Sequence, residues 1–308
     1  MRRLGTGLVA ILALTIAIVQ PAAAVEQDLS PGTMIDWSED QATTFTYGDI
    51  TIALSFTGDE DYESEVTLTI SAPGAQPQKI VEIGGGMAFG RIGVFAMDDS
   101  GADTVLFSVY SGGAHCCMQT SAITRTADGL VVESVGAIDG DLVEPFDVDG
   151  DGRIELVLYD DRFNYTFSAY AFSRPAQQIF KFRDGIMVDA SREPQYAAFY
   201  RRQLEDLASG CGGAQGWLKP DCAGYLATAA LLGEFDARFP AVKAAFDAGK
   251  GEADSGWEVI SLCQDAECAT TTDYDSFSEA IVIALTQWGY LDSEPAAKGE
   301  SKDKLNSR

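Results

Sequence analysis

Residues 147–155, with the sequence DVDGDGRIE, place oxygen-bearing side chains at regular intervals. Asp147, Asp149 and Asp151 alternate along the chain, and Glu155 closes the segment. A tight loop with carboxylates at positions 1, 3, 5 and 9 and a backbone carbonyl at position 7 suits a hard cation that takes about six to eight oxygen ligands. The spacing therefore predicts a Ca2+ site formed by Asp147, Asp149, Asp151, the carbonyl of Arg153 and Glu155.

The residue at position 12 of this loop indicates what kind of calcium site it would be. A helix–loop–helix hand carries a bidentate Glu there, whereas this chain has Leu158, within the apolar run 156–159. The loop is therefore expected to lead into a strand, which favours a structural calcium site over a calcium switch. The alternative is an acidic turn whose carboxylates are simply solvated.

A second set of reactive side chains lies at residues 115–118, where His115 is the only histidine of the chain. Imidazole, thiolate and thioether ligands suit Cu(I), and zinc is also considered. On a strand, however, His115 and Cys117 would share one face while Cys116 and Met118 share the other, which argues against a single four-ligand site. A redox-active disulfide between Cys116 and Cys117, or a disulfide-bonded turn with no further role, are the alternatives.

Sequence motifs for common enzyme classes are missing. The chain contains no G-x-S-x-G elbow, no G-x-x-x-x-G-K-[ST] loop and no H-E-x-x-H helix. A carboxylate pair for glycoside hydrolysis remains open among the 47 acidic residues, but no spacing singles one out. The sequence therefore favours a non-catalytic role and leaves a hydrolase as a minority hypothesis.

The N-terminal segment has the features of a secretory signal. Two arginines precede an apolar core at residues 8–19, and the small residues Ala22, Ala23 and Ala24 follow. We predict that residues 1–24 are a signal peptide cleaved after Ala24 and that the protein is periplasmic or secreted in a bacterium. The apolar core is shorter than the about 18–20 residues that span a bilayer, so no membrane span is expected after cleavage.

The charge of the chain excludes some partners. Aspartate and glutamate number 47 against 21 lysines and arginines, and the formal net charge is −26. Nucleic acid and anionic lipid need a basic surface, so neither is an expected partner. The acidity fits cation binding and solubility.

All six cysteines follow the predicted signal, in a part of the chain that would meet an oxidising compartment. An even number predicts three disulfides. Proximity favours Cys211 with Cys222 and Cys263 with Cys268. Cys116 and Cys117 would then pair with each other, or all six could form crossed pairings.

Two kinds of hydrophobic pattern divide the mature chain. Residues 25–190 show short alternating runs, such as VTLTI at 66–70, which predict an antiparallel β domain. Residues 191–292 show apolar residues at threes and fours, which predict a helical domain, as in Tyr200, Leu204 and Leu207. Residues 293–308 have almost nothing to bury and are predicted to be a disordered tail.

The predicted β domain contains an internal repeat. A shift of 51 residues places Phe95 on Phe146, and Asp98 on Asp149. The first copy lacks two of the predicted ligands, since Ala96 stands where Asp147 would be, and Thr104 where Glu155 would be. We therefore expect no ion in the first copy.

The motif DVDGDGRIE followed by a strand resembles the FG-GAP or VCBS-type calcium repeat of extracellular β proteins. Together with YSGGAHCC at 110–117 and YDDRFNYTFSAYAFS at 159–173, it is similar to a group of uncharacterised bacterial secreted proteins with a GGAHCC motif. The resemblance covers about residues 93–191. It implies an exported protein, FG-GAP-like β repeats and calcium, and no catalytic residue. Two copies are too few for a full propeller, so a sheet or sandwich is expected.

These observations predict an α+β protein with an N-terminal antiparallel β domain and a C-terminal disulfide-stapled helical domain. Its predicted function is that of an exported, calcium-stabilised binding module whose partner is a protein or an envelope polymer. The alternative is an envelope thiol-redox or soft-metal-binding protein centred on His115, Cys116 and Cys117.

Overall fold

The computed structural model describes residues 26–41, 44–59, 63–113, 116–140, 144–251, 259–264 and 268–292. The predicted signal peptide, the predicted tail and His115 lie outside these residues. The described chain is mostly β-sheet with a few helices, and it contains disulfides. This is broadly the α+β class that the sequence predicts, and the described strands form no closed barrel.

Two five-stranded sheets form the N-terminal half of the molecule. The first has the order β1-β3-β4-β5-β6 and the second the order β10-β9-β8-β7-β2. Neighbouring strands are antiparallel except β1 and β3, which are parallel. The strands are β1 (Glu26–Asp28), β2 (Thr33–Ser38), β3 (Thr44–Tyr47), β4 (Ile50–Asp59), β5 (Glu63–Ser71), β6 (Gln78–Gly85), β7 (Phe89–Phe95), β8 (Thr104–Tyr110), β9 (Met118–Thr126) and β10 (Gly129–Ile138).

These two sheets pack face to face as a sandwich, as their alternating sequences require. In β5, Val66, Leu68 and Ile70 are fully buried, while the threonines between them face outward and are only partly buried. Trp37 of β2 stacks on Phe107 of β8 with ring centroids 5.1 Å apart, inside the core that both sheets share. One face of each sheet therefore contributes to this interior layer, whereas the other face of the second sheet buries Leu106 and Ala122 in a separate core with Leu156 and Phe182.

The 51-residue repeat has the same backbone register in both copies. Phe95 pairs with Thr104 in the antiparallel ladder of β7 and β8. Phe146 pairs with Glu155 in an isolated antiparallel bridge, and each of these two positions lies 51 residues after its counterpart. Both copies are thus hairpins whose loops begin and end at equivalent residues.

In the described residues of the C-terminal half, the chain forms a third sheet and four helices. The three-stranded sheet has the order β11-β12-β13, and two further hairpins lie among the helices. The strands are β11 (Leu156–Tyr159), β12 (Gln177–Arg183), β13 (Ile186–Asp189), β14 (Cys211–Gly213), β15 (Gly216–Trp217), β16 (Ile260–Cys263) and β17 (Thr271–Tyr274). The helices are α1 (Ala197–Ala208), α2 (Lys219–Leu231), α3 (Phe235–Asp247) and α4 (Phe277–Gln287). Short 3-10 turns occupy Asp161–Phe163, Tyr170–Phe172 and Pro194–Tyr196.

Apolar spacing, a first-turn proline and a capping serine explain how three of the helices pack or begin. In α1, the buried residues Tyr200, Leu204 and Leu207 recur at threes and fours and form one face. Pro220 lies in the first turn of α2, where its missing amide hydrogen costs no helical bond. Ser276 caps α4 by accepting a hydrogen bond from the amide of Glu279.

One hydrophobic core joins the third sheet to the helices. It contains Val157 and Ile179 from the sheet together with Leu226, Ile281 and Leu285 from the helices. Residues from both sides of the predicted boundary at 190/191 therefore pack in the same core. The structure contains no helix, within the residues it describes, that is long and apolar enough to cross a membrane.

Candidate calcium loop

The loop between Phe146 and β11 brings three carboxylates together. One oxygen from each of Asp147, Asp149 and Asp151 lies within 4.8 Å of the others. Asp147 and Asp149 are partly buried, whereas Asp151 is exposed. Three negative charges at this separation repel one another, so the loop is electrostatically suited to a cation.

Backbone amides hold these carboxylates in place. Asp147 accepts hydrogen bonds from the amides of Gly150 and Gly152, at 2.7 and 2.9 Å. Asp149 accepts one from the amide of Asp151 at 3.0 Å. Both glycines have positive φ values, +86° and +88°, which other residues adopt with strain. The glycines of DVDGDG therefore allow the chain to curl around its own carboxylates.

Glu155 occupies a different environment from the three aspartates. Only 2% of its surface is exposed. One carboxylate oxygen accepts a hydrogen bond from the amide of Val148 at 2.8 Å, and the other accepts one from the hydroxyl of Tyr196 at 3.2 Å. Burial raises the pKa of Glu155, and the charges of Asp149 and Asp151 add to that rise. The cluster within 4.8 Å thus comprises the three aspartates, and Glu155 joins the loop to the residue that precedes α1.

Arg153 contacts the first copy of the repeat. Its guanidinium donates a hydrogen bond to the carbonyl of Asp98 at 2.9 Å, and the amide of Ile154 donates to the carbonyl of Ala96 at 3.0 Å. The two loops therefore lie side by side. The carbonyl of Arg153, the predicted ligand, belongs to the same backbone segment.

In the loop of the first repeat copy, the aspartate accepts hydrogen bonds from neighbouring protein groups. Asp98 is fully buried and accepts hydrogen bonds from the amide and hydroxyl of Ser100 and from the amide of Gly185 at 2.7 Å. Burial alone would raise the pKa of Asp98, but these hydrogen bonds outweigh it and hold the pKa below its ordinary value. The negative charge is thus stabilised by protein donors.

A network of charged and polar groups follows β11. Arg162 forms a two-pronged ion pair with Asp160, with both N–O distances at 2.7 Å. The hydroxyl of Tyr290 also donates to Asp160 at 2.9 Å, and Arg162 donates to the carbonyl of Trp288. Burial and the charge of Asp160 raise the pKa of Tyr290. This network ties the third sheet to the segment after α4.

The six cysteines pair as neighbours in sequence. Cys211 is bonded to Cys222, and Cys263 to Cys268. Cys116 is bonded to Cys117 through a cis peptide at the end of the β8–β9 hairpin, where Cys116 is exposed and Cys117 is buried. Their sulfur atoms are bonded to each other and so offer no thiolate to a soft metal in this oxidation state. The thiol-redox hypothesis stays a prediction.

Tyr196 was not identified from the sequence as a residue of the loop. Its spacing with Tyr200 and Leu204 marks it as part of a helix face, and the structure does bury it. The pattern carries no signal that its hydroxyl would reach Glu155, because that contact joins residues 41 positions apart.

Comparisons with known proteins give two curated relatives. A protein of Synechocystis sp. named "Probable thylakoid lumen protein" is 29% identical over 215 residues, which cover 66% of this chain and 61% of that protein. An uncharacterized protein of Sinorhizobium fredii is 28% identical over 209 residues, covering 62% of this chain and 31% of that protein. The matched region thus spans less than two thirds of either relative. No family model and no solved structure matches the chain.

Proposed function

We propose that the protein is an exported, calcium-stabilised binding module without catalytic activity. The observation that carries the calcium proposal is the convergence of Asp147, Asp149 and Asp151 to within 4.8 Å on a loop of regular spacing. Calcium accepts carboxylate and carbonyl oxygens in flexible geometry, so the carbonyl of Arg153 and the carboxylate of Glu155 would complete the ligand set.

In this proposal the ion has a structural role. Phe146 and Glu155 exchange backbone hydrogen bonds across the loop, and β11 follows directly. Glu155 also accepts from Tyr196, the residue before α1. An ion bound here would fix the start of β11 relative to the start of α1, as in an FG-GAP-like calcium repeat. No exit helix is present at the loop to transmit a switch.

The proposed location is the periplasm or the exterior of a bacterial cell. The N-terminal residues have the pattern of a secretory signal, and the chain forms disulfides in its described part. The Synechocystis relative is named as a protein of the thylakoid lumen. These three observations support export. The proposed partner is a protein or an envelope polymer.

Calcium should raise the thermal stability of the protein after chelation. A ligand that binds only the folded state at about one hundred times its Kd stabilises that state by about 2.7 kcal/mol. We expect Asp149→Ala to abolish the calcium-dependent rise in melting temperature. Differential scanning calorimetry of chelated samples, with and without added calcium, measures it.

The matched control is Asp128→Ala, because Asp128 is an exposed acid in the turn between β9 and β10. This variant should keep the full calcium response. Identical melting of the wild-type protein with and without calcium would refute the calcium site. A response lost equally in both variants would show that calcium acts on the overall charge instead.

A further inference from the structure

A groove of about 310 Å3 lies between the third sheet and α1. The third sheet contributes Tyr159 of β11 and Gln177 of β12, and the connection between these two strands contributes Arg174. Helix α1 contributes Gln203 and Asp206. The volume is at the lower end of the about 300–1,000 Å3 that small-molecule sites occupy. The groove is therefore large enough for a small ligand or for one segment of a polymer.

The polar groups of the groove are held by neighbouring contacts. Tyr159 and Gln177 are directly opposite each other in the antiparallel pair of β11 and β12, so their side chains share a face. Gln203 donates a hydrogen bond to Gln177. Arg174 lies 3.6 Å from the carboxylate of Asp221, which is buried. The amides and the guanidinium are thus oriented before a ligand arrives.

Tyr159 supplies an apolar surface beside these groups. Its side chain is 48% exposed, although it stands at the end of an otherwise apolar strand. An exposed ring next to planar amide, carboxylate and guanidinium groups combines an apolar face with several donors and acceptors. A sugar ring presents the complementary surface, since one face carries C–H groups and the rim carries hydroxyls that both donate and accept.

The charges around the groove favour a neutral ligand. Arg174 is the one cationic side chain among the lining residues that the structure describes, and Asp221 already faces it. Asp206 is exposed at the same groove, so the lining carries one carboxylate and one cation, and the cation already faces Asp221 outside the lining. The chain as a whole carries a formal charge of −26, which repels anionic polymers.

We propose that this groove binds a neutral saccharide, with the ring of Tyr159 beneath the sugar and with Gln177, Gln203 and Asp206 on its hydroxyls. This inference deepens the proposed binding function and rests on it. The groove and the calcium loop share two elements, because β11 begins directly after Glu155 and ends at Tyr159 in the groove, and α1 begins directly after Tyr196. The two walls therefore start from the two residues that the Glu155–Tyr196 hydrogen bond joins.

Native affinity electrophoresis of the full chain tests this proposal. The gels contain calcium and one of four neutral polysaccharides, namely soluble starch, hydroxyethyl cellulose, galactomannan or xylan, or the anionic polymer alginate. We expect at least one neutral polymer to retard the protein. Removal of the ring in Tyr159→Ala should weaken that retardation by about tenfold. Tyr159→Phe should retain it, because the apolar ring face is kept.

The matched control is Tyr165→Ala, since Tyr165 is similarly exposed, at 54%, and does not line the groove. Its mobility should equal that of the wild type in every gel. Unretarded migration in all four neutral polymers overturns the saccharide proposal, as does retardation by alginate alone or retardation that Tyr159→Ala leaves unchanged.

Calorimetry of the same samples separates this proposal from the calcium site. A calcium-dependent rise in melting temperature without retardation overturns the saccharide groove alone. Retardation that depends on Tyr159, in a protein that calcium does not stabilise, supports the groove and overturns the calcium site.

Discussion

Asp98 and Asp149 occupy equivalent positions in two hairpins, but their charges meet different surroundings. Asp98 is fully buried and accepts hydrogen bonds from Ser100 and Gly185. Asp149 accepts one from the amide of Asp151 and lies beside two further carboxylates. The first carboxylate is stabilised by several protein donors, whereas the second accepts one amide hydrogen bond and needs compensation for two neighbouring carboxylates. A bound cation would supply that compensation in the second hairpin only.

At the residue scale, Asp98→Asn should lower stability near neutral pH and have less effect in acid. The pKa of Asp98 is below its ordinary value in the folded state, so its contribution is present above that ordinary value and is lost as the pH falls through the folded pKa. Weakening hydrogen bonds to a buried charge should cost about 1–3 kcal/mol at neutral pH. Urea unfolding of both proteins across the acid range measures the difference.

Asp99→Asn is the control for this prediction. Asp99 is the next residue and pairs with Arg183 at 3.1 Å, but its side chain is 40% exposed. Its replacement should change the free energy of unfolding only slightly at any pH. A stability difference for Asp98→Asn that does not vary with pH would contradict the assigned role of the charge.

At the scale of elements, the disulfides should contribute unequally. Cys211–Cys222 connects β14 to α2 and closes a loop of sequence separation 11, whereas Cys263–Cys268 has a separation of 5. Replacing both cysteines of the longer loop by alanine should lower the free energy of unfolding by about 2–4 kcal/mol, and the same change in the shorter loop should cost less. Chemical denaturation of the two double variants compares them. A larger loss from the shorter loop would contradict an effect governed by chain entropy.

The sequence predicts single elements well where periodicity is strong. The alternation of Val66, Leu68 and Ile70 predicts a half-buried strand, which the structure confirms. The spacing of Tyr200, Leu204 and Leu207 predicts a helix face, which is also confirmed. The acidic loop is predicted by its spacing because all of its carboxylates lie within nine residues. Tyr196 could not be predicted as a partner of Glu155, since the contact depends on how the turn before α1 lies against the loop before β11.

At the scale of the whole molecule, Leu285→Ala tests how far the shared core extends. Leu285 of α4 is fully buried in the core that also holds Val157 and Ile179 of the third sheet. The cavity should cost about 2–5 kcal/mol. Hydrogen exchange should rise in β11 and β12 as well as in the helices, because they share this core, and stay unchanged in the sandwich.

Ile123→Ala provides the complementary variant, since Ile123 is fully buried in the sandwich core. Its exchange should rise in the first two sheets. If Leu285→Ala raised hydrogen exchange only in the helices, the third sheet would be stabilised by its contacts with the sandwich instead of by the core it shares with the helices. This extent of the core is not visible in the sequence, because strand periodicity shows that residues are buried but does not show which element covers them.

Arg192 donates a hydrogen bond to the carbonyl of Ala230, near the end of α2. It also donates to the carbonyls of Gly289 and Tyr290, which follow α4. The contacts of Asp160 and Arg192 can therefore form only when the residues near 290 are available. The last strand of the sandwich, by contrast, ends at Ile138. If the chain crosses a membrane from its N-terminus onward, the sandwich can fold during translocation. The second half must remain open until the last helix emerges, and that interval is when its apolar strands are exposed to folding factors and proteases.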